Sequence, residues 1–259
     1  MTLDKLNVEA VLRNHTNDIF RKGLAQYIYL ISKFHEFCDG ERNLSEDNTF
    51  KGVYNAFFKL GMKRKKDDLE KFRVGYYEYM NREKKNKDLT LREVLENLKK
   101  LPRSRVERSF GSKLLSMIDS ENNPPWDENV KIILQKTGIL WTRKTKKGMK
   151  IPSNDCIFEW NGFYTDFCEW YRRFINSKDT VAVRWIEQFD SWFKKDWYKW
   201  YVNFLDKKKK QDWIGWLDKK QFTKEKILEN ITRVKKIDLI LWQAGGKEKK
   251  NDTTIWLKK

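Results

Sequence analysis

The sequence predicts an all-α protein, on three observations. Four prolines in 259 residues leave long segments free to run as uninterrupted helix. Apolar residues recur at spacings of three and four along most of those segments. Thr90-Leu91-Arg92-Glu93 is a capping box, in which a hydroxyl and a carboxylate satisfy each other's orphan backbone amides at a helix start.

The elements follow in order. Residues 7–38 show helical periodicity through Val11, Ile19, Leu24, Tyr27, Leu30 and Phe34, and Asp39-Gly40 ends the run. Residues 43–48 form a polar loop. Residues 50–62 are apolar at Val53, Tyr54, Phe57, Phe58 and Leu60, and Lys63-Arg64-Lys65-Lys66 is a charged turn. A helix over 69–80 carries Phe72, Tyr76 and Tyr79. The helix begun at Thr90 buries Leu91, Val94, Leu95 and Leu98, and Pro102 marks its end. Arg105 to Leu115 reads as a helix, followed by a loop through Pro124-Pro125 and a second helix that opens at Asp127. Eight of the twelve tryptophans lie between Trp160 and Trp216. Trp185, Phe189 and Trp192 recur at helical spacing and form a core-facing stripe, whereas Trp197 or Trp200, set among lysines, are the candidates to face a partner. The last strong helix spans 224–243, and Gly245-Gly246 signals its stop. The basic runs 143–150 and 207–210 read as solvated loops.

A net charge of +18 implies a polyanionic partner, most simply nucleic acid. An aromatic content of 15% argues that the chain folds despite that charge. No apolar run approaches the ~20 residues a membrane span needs, and the opening residues lack the features of a signal peptide. Three cysteines, Cys38, Cys156 and Cys168, do not make a disulfide framework, so a reduced, cytoplasmic setting is expected. The two histidines, His15 and His35, join no cluster with metal-ligand spacing, and no P-loop is present. No cofactor is expected.

The segment Arg105-Val106-Glu107-Arg108-Ser109-Phe110-Gly111-Ser112-Lys113-Leu114, followed by Pro124-Pro125-Trp126-Asp127, resembles the helix-hairpin-helix DNA glycosylases. Tyr54-Asn55-Ala56-Phe57-Phe58 upstream and Asp238-Leu239-Ile240-Leu241-Trp242-Gln243 late in the chain are similar to elements of a bacterial group within that superfamily. The resemblance covers roughly residues 50–140 and 225–245 and leaves the tryptophan-rich insert unmatched. It implies that Gly111 belongs to the phosphate-binding hairpin, that Lys113 stands where some members carry an amine nucleophile, and that Asp127 is the carboxylate supporting base release. Arg105, Arg108, Ser109, Ser112, Trp126, Asn55 and Tyr54 are then the candidates for DNA contact or the base pocket. The chain departs from the family where Arg108-Ser109 replaces the usual Leu-Pro-Gly opening and where Glu128-Asn129 follows the aspartate. The four-cysteine iron–sulfur loop of some members is absent.

Each residue has a plainer role as well. Asp127 can be an N-cap, worth ~1 kcal/mol, a role compatible with catalysis. Lys113 can contact a phosphate as an ordinary helix lysine, since an amine nucleophile needs burial or a cationic neighbour to shed its proton. Glu107 can pair with an arginine. Asn55 can read a base edge or pack between helices.

The expected architecture is a single two-lobed domain over 1–259. One lobe covers about 50–141, with the hairpin at 105–130; the other combines 1–45 with 142–259. The expected function is excision of a modified base from DNA by a monomer, either a damaged base or a bulky base of phage DNA. Two alternatives stand: a non-catalytic DNA-binding module on the same scaffold, and a helical protein that meets an acidic protein partner.

Overall fold

A computed structural model describes residues 1–13, 18–60, 65–101, 107–141, 148–153, 155–177, 180–208 and 210–257. Among these residues the fold is all-α but for two short strands. Its helices are α1 (Val8–Leu12), α2 (Asp18–Asp39), α3 (Asn48–Phe58), α4 (Lys66–Glu83), α5 (Leu91–Leu98), α6 (Arg108–Ile118), α7 (Glu128–Lys136), α8 (Ile157–Asn176), α9 (Thr180–Trp192), α10 (Tyr198–Lys208), α11 (Asp212–Lys220), α12 (Lys224–Glu229) and α13 (Arg233–Glu248). The strands β1 (Leu140–Trp141) and β2 (Met149–Lys150) pair in parallel. No helix is long and apolar enough among the described residues to cross a membrane.

Side chains set many of the helix starts. Asn7, Asp47, Thr90, Asp127, Thr223 and Thr232 each accept a hydrogen bond from an amide in the first turn that follows, which removes one orphan donor. At Thr90 both halves of the capping box form, as the sequence predicts. The buried apolar side chains make one connected core that runs from Leu3 to Trp256. Helix α13 packs against α7, α9, α1 and α8, so the C-terminal helix ties together segments from the whole chain.

Four expectations about elements are corrected. Residues 7–38 are not one helix: α1 ends at Leu12 and α2 begins at Asp18. The 224–243 run is two helices, because Thr232 caps a fresh start at Arg233. Gly245 and Gly246 do not stop α13, which continues to Glu248. The reason is a close approach: a Cβ on Gly245 would lie 2.0 Å from the Asn129 carbonyl oxygen, so only glycine lets α13 seat on the start of α7. The polar loop 43–48 holds a single 3-10 turn, Leu44–Glu46, before α3.

The tryptophan stripe is core, as expected: Trp185, Phe189 and Trp192 are buried. A π-helical turn, Phe193–Trp197, joins α9 to α10. It carries Trp197 fully inside, where the indole N–H donates to the Arg21 carbonyl at 3.0 Å, so Trp197 does not face a partner. Trp200 is half-buried and stacks on Phe204 with ring centres 4.7 Å apart.

Candidate active site

Helix α6 turns one face inward, and Lys113 lies on that face among apolar neighbours, 8% exposed. Its ammonium group pairs with a carboxylate only at ion-pair distance, not at hydrogen-bond distance. Nζ donates to the Phe58 carbonyl at 3.4 Å and stands 3.9 Å from the Asp127 carboxylate. The rings of Phe58 and Phe110 are 5.5 and 5.4 Å from Nζ. Burial pushes the Lys113 amine below the ordinary lysine range; Asp127 opposes that shift, and the nearby cation of Lys235 adds to it.

Asp127 is held by its cap. One oxygen accepts from the Asn129 amide at 2.9 Å, and the other faces Lys113. Its side chain is 25% exposed, so the pair opens to solvent on the aspartate side. The sequence-predicted amine and carboxylate are thus brought together, by adjoining helices, at a partly open position.

Two predicted contact residues set this geometry from within. The Ser112 hydroxyl accepts from the Trp126 amide at 2.9 Å and donates to the Ser109 carbonyl at 3.0 Å. The Ser109 hydroxyl in turn donates to the Trp126 carbonyl at 3.2 Å. The two serines therefore bolt the residue before Asp127 onto the helix that carries Lys113. Trp126 itself is buried, edge-on to Phe163 and Phe167 at 5.0 and 5.3 Å. Tyr164 adds a further tie by donating to the Pro124 carbonyl at 2.9 Å.

The other predicted residues are placed as follows. Gly111 lies inside α6, not before it; its amide donates to the Glu107 carbonyl at 2.8 Å, so that N–H is spent within the helix. Its missing side chain serves packing, since a Cβ there would meet Leu91, Leu95 and Val94 at 3.0 to 3.3 Å. Tyr54 is fully buried and shares a 2.7 Å hydrogen bond with the Tyr76 hydroxyl, away from solvent. Asn55 accepts from the Tyr77 hydroxyl at 2.8 Å and lines a separate cleft of about 280 Å³ with Lys51 and Arg73. Arg108 pairs with Asp155 at 2.8 Å and lies over the Trp160 ring at 4.1 Å, at the surface near Trp126. Arg105 and Val106, at the start of the expected hairpin, fall outside the described residues, as do Pro102, His15 and the greater part of the 143–150 run.

The cluster also contains a pair that sequence reasoning missed. Lys235 and Asp238, in the first turns of α13, form an ion pair of 2.7 Å with both side chains 4% exposed. The Lys235 ammonium lies 4.7 Å from the centre of the Tyr27 ring. Burial raises the Asp238 carboxyl above its ordinary range, Lys235 draws it back, and the charges of Asp127 and Lys113 also act on it. The signal was a lysine and an aspartate three apart inside the apolar run Val234 to Leu241, which an ordinary surface helix does not place on its inner face.

Among the described residues no three His, Cys, Asp or Glu side chains gather to hold a metal ion. The chemistry on offer is an amine of weakened basicity beside a fixed carboxylate, in a site screened by aromatic rings. Comparison with protein-family models, with curated proteins and with solved structures gave no match to this chain.

Proposed function

We propose that the protein is a DNA glycosylase on a two-lobed helix-hairpin-helix scaffold, with Asp127 and Lys113 as its reacting groups. The observation that carries the reading is the 3.9 Å approach of Lys113 to Asp127 at a site closed on the lysine side and open on the aspartate side. A deoxyribose carbon that loses its base develops positive charge, and a fixed carboxylate stabilises it. An unprotonated amine is a competent nucleophile for that carbon. The C–N bond to the base breaks with its electron pair going to the base, the amine nitrogen forms the new bond, and the proton the nitrogen gives up balances the one the departing base takes. The net charge of +18 supplies attraction for the DNA backbone, and the target base must leave the stack to present its sugar.

The test uses duplexes bearing defined modified bases. The wild-type chain is expected to release a base from at least one, and Asp127→Asn to release none while binding the same duplex. Release at the wild-type rate by Asp127→Asn overturns the reading. Salt-sensitive binding with no abasic product from either protein favours the non-catalytic DNA-binding module.

A further inference from the structure

The tryptophan-rich half of the chain builds more aromatic surface than its core takes up. Trp197, Tyr201 and Leu205 recur every four residues along the π-turn and α10, and all three are buried. A second stripe, Trp200 and Phe204, runs beside them at the border between core and solvent, and both are half-buried. Their rings are nearly parallel, at 15°, with centres 4.7 Å apart. The Trp197 indole N–H is taken by the Arg21 carbonyl, whereas among the described residues no protein acceptor takes that of Trp200.

The same face continues into charge. Lys207 and Lys208 follow Trp200 by seven and eight residues, which returns them to its side of the helix, and Lys199 borders it. All three lysines are exposed, and among the described residues none has a carboxylate within ion-pair range. Other lysines of this half are compensated, Lys220 by Glu36 at 2.6 Å and Lys236 by Asp190 at 2.8 Å. Phe204 also meets Trp213, with centres 6.1 Å apart, and Trp213 lines a groove of about 480 Å³ between α2, α3 and the start of α11. Lys22 and the amides of Gln26 and Asn48 line it too, with Asp212 as its one carboxylate. Gly52, in the middle of α3, borders the same groove. A Cβ on Gly52 would meet nothing within 4 Å, so packing does not demand a residue that weakens a helix interior.

We propose that Trp200 and Phe204, with the lysines beside them and the groove at Trp213, form a platform for single-stranded nucleic acid. A single strand supplies both things this surface is missing. Its phosphates are the counter-charge for lysines that have no carboxylate. Its bases are flat partners for rings at the solvent border, and stacking on them is indifferent to sequence. A duplex keeps its base faces inside the stack, so the platform selects unpaired bases. The groove amides suit the edges of a base that turns in beside Trp213. An acidic protein would satisfy the lysines and leave the rings without a flat partner, so the strand is the better occupant.

The inference goes beyond base excision and is tested without it. The full-length chain is titrated, by fluorescence anisotropy, into a labelled oligothymidylate and into a strand of equal length made of tetrahydrofuran abasic residues, which has the phosphates and no bases. The wild-type chain is expected to bind oligothymidylate the more tightly. Trp200→Ala is expected to weaken that binding by roughly 5- to 150-fold, the equivalent of one lost base–ring stack, and to leave the base-free strand unaffected. Trp200→Phe is expected to restore most of the loss. Should circular dichroism show Trp200→Ala unfolded, Trp200→Leu, which keeps apolar bulk without a ring, is read in its place with the same expected loss. The exposed triple variant Lys199→Gln/Lys207→Gln/Lys208→Gln is expected to weaken both strands and to reduce the salt slope by about 2, from three lysines at about 0.7 each. Equal wild-type affinity for the two strands, or a folded variant without the Trp200 ring that keeps the full preference for bases, overturns the proposal. Strand binding as expected, with no base released from any duplex, sustains it and sinks the glycosylase reading alone.

Discussion

Gly245 lies against Asn129 so closely that a Cβ would come within 2.0 Å of the Asn129 oxygen and 2.5 Å of its carbonyl carbon. The contact is backbone on backbone, at the residue whose amide is capped by Asp127. Packing of the last helix and placement of the candidate carboxylate are therefore one structural event. Gly245→Ala is expected to lose about 1–3 kcal/mol or more through overpacking. Gly246→Ala, whose nearest neighbour is the Asn129 side-chain nitrogen at 3.5 Å, is expected to be neutral or mildly stabilising. Urea denaturation of the two variants checks this, and equal losses would contradict it.

Ser112→Ala removes the acceptor for the buried Trp126 amide. Leaving such a donor unpaired costs roughly 1–3 kcal/mol. Ser109→Ala removes only a donor to the Trp126 carbonyl and is expected to cost less. The same denaturation series ranks them, and a larger loss for Ser109→Ala would show that the bolt is drawn the wrong way round.

Asp127→Asn separates structure from chemistry. Asparagine caps helices about as well as aspartate. Stability measured by thermal unfolding is expected to change by less than about 1 kcal/mol, on the scale of a single cap. A collapse of stability would mean that the Asp127 charge is structural.

The pH dependence of stability has a defined sign. The Lys113 amine titrates below its ordinary value of 10.5 in the fold. Between the folded and unfolded values the unfolded chain binds the extra proton, so this group makes stability rise with pH across that window. Asp238 has the opposite displacement, above 3.8, so its contribution is full below that value and is lost as pH rises through the folded one. Lys113→Met is expected to raise the neutral-pH melting temperature and to flatten the alkaline slope, at the expense of activity. Melting scans from neutral to alkaline pH read both effects.

Much of the fold is legible from side-chain pattern, and the misses have physical causes. The stripe Trp185, Phe189, Trp192 and the box at Thr90 are local signals that tertiary structure preserves. Gly245 and Gly246 mislead because a glycine that ends a helix and one that admits a neighbouring backbone look alike in sequence. Gly111 is ambiguous in the same way: it lies inside α6, where its missing side chain admits α5. Of the site, the Lys113–Asp127 pair is visible as an ordered motif. The buried Lys235–Asp238 pair is not, because its burial depends on which face of α13 turns inward after the new start at Thr232. Tyr54 and Trp126 are aromatic and near the motif, yet the core claims both.

The most direct test of the central claim is borohydride trapping on a short duplex that carries one abasic site. An unprotonated Lys113 amine condenses with the sugar aldehyde, releasing water, and borohydride reduces the imine to a stable protein–DNA adduct. The account predicts an adduct with the wild-type chain whose DNA-linked peptide contains Lys113, and none with Lys113→Gln. No adduct from the wild-type chain, or an equal yield from Lys113→Gln, would contradict it.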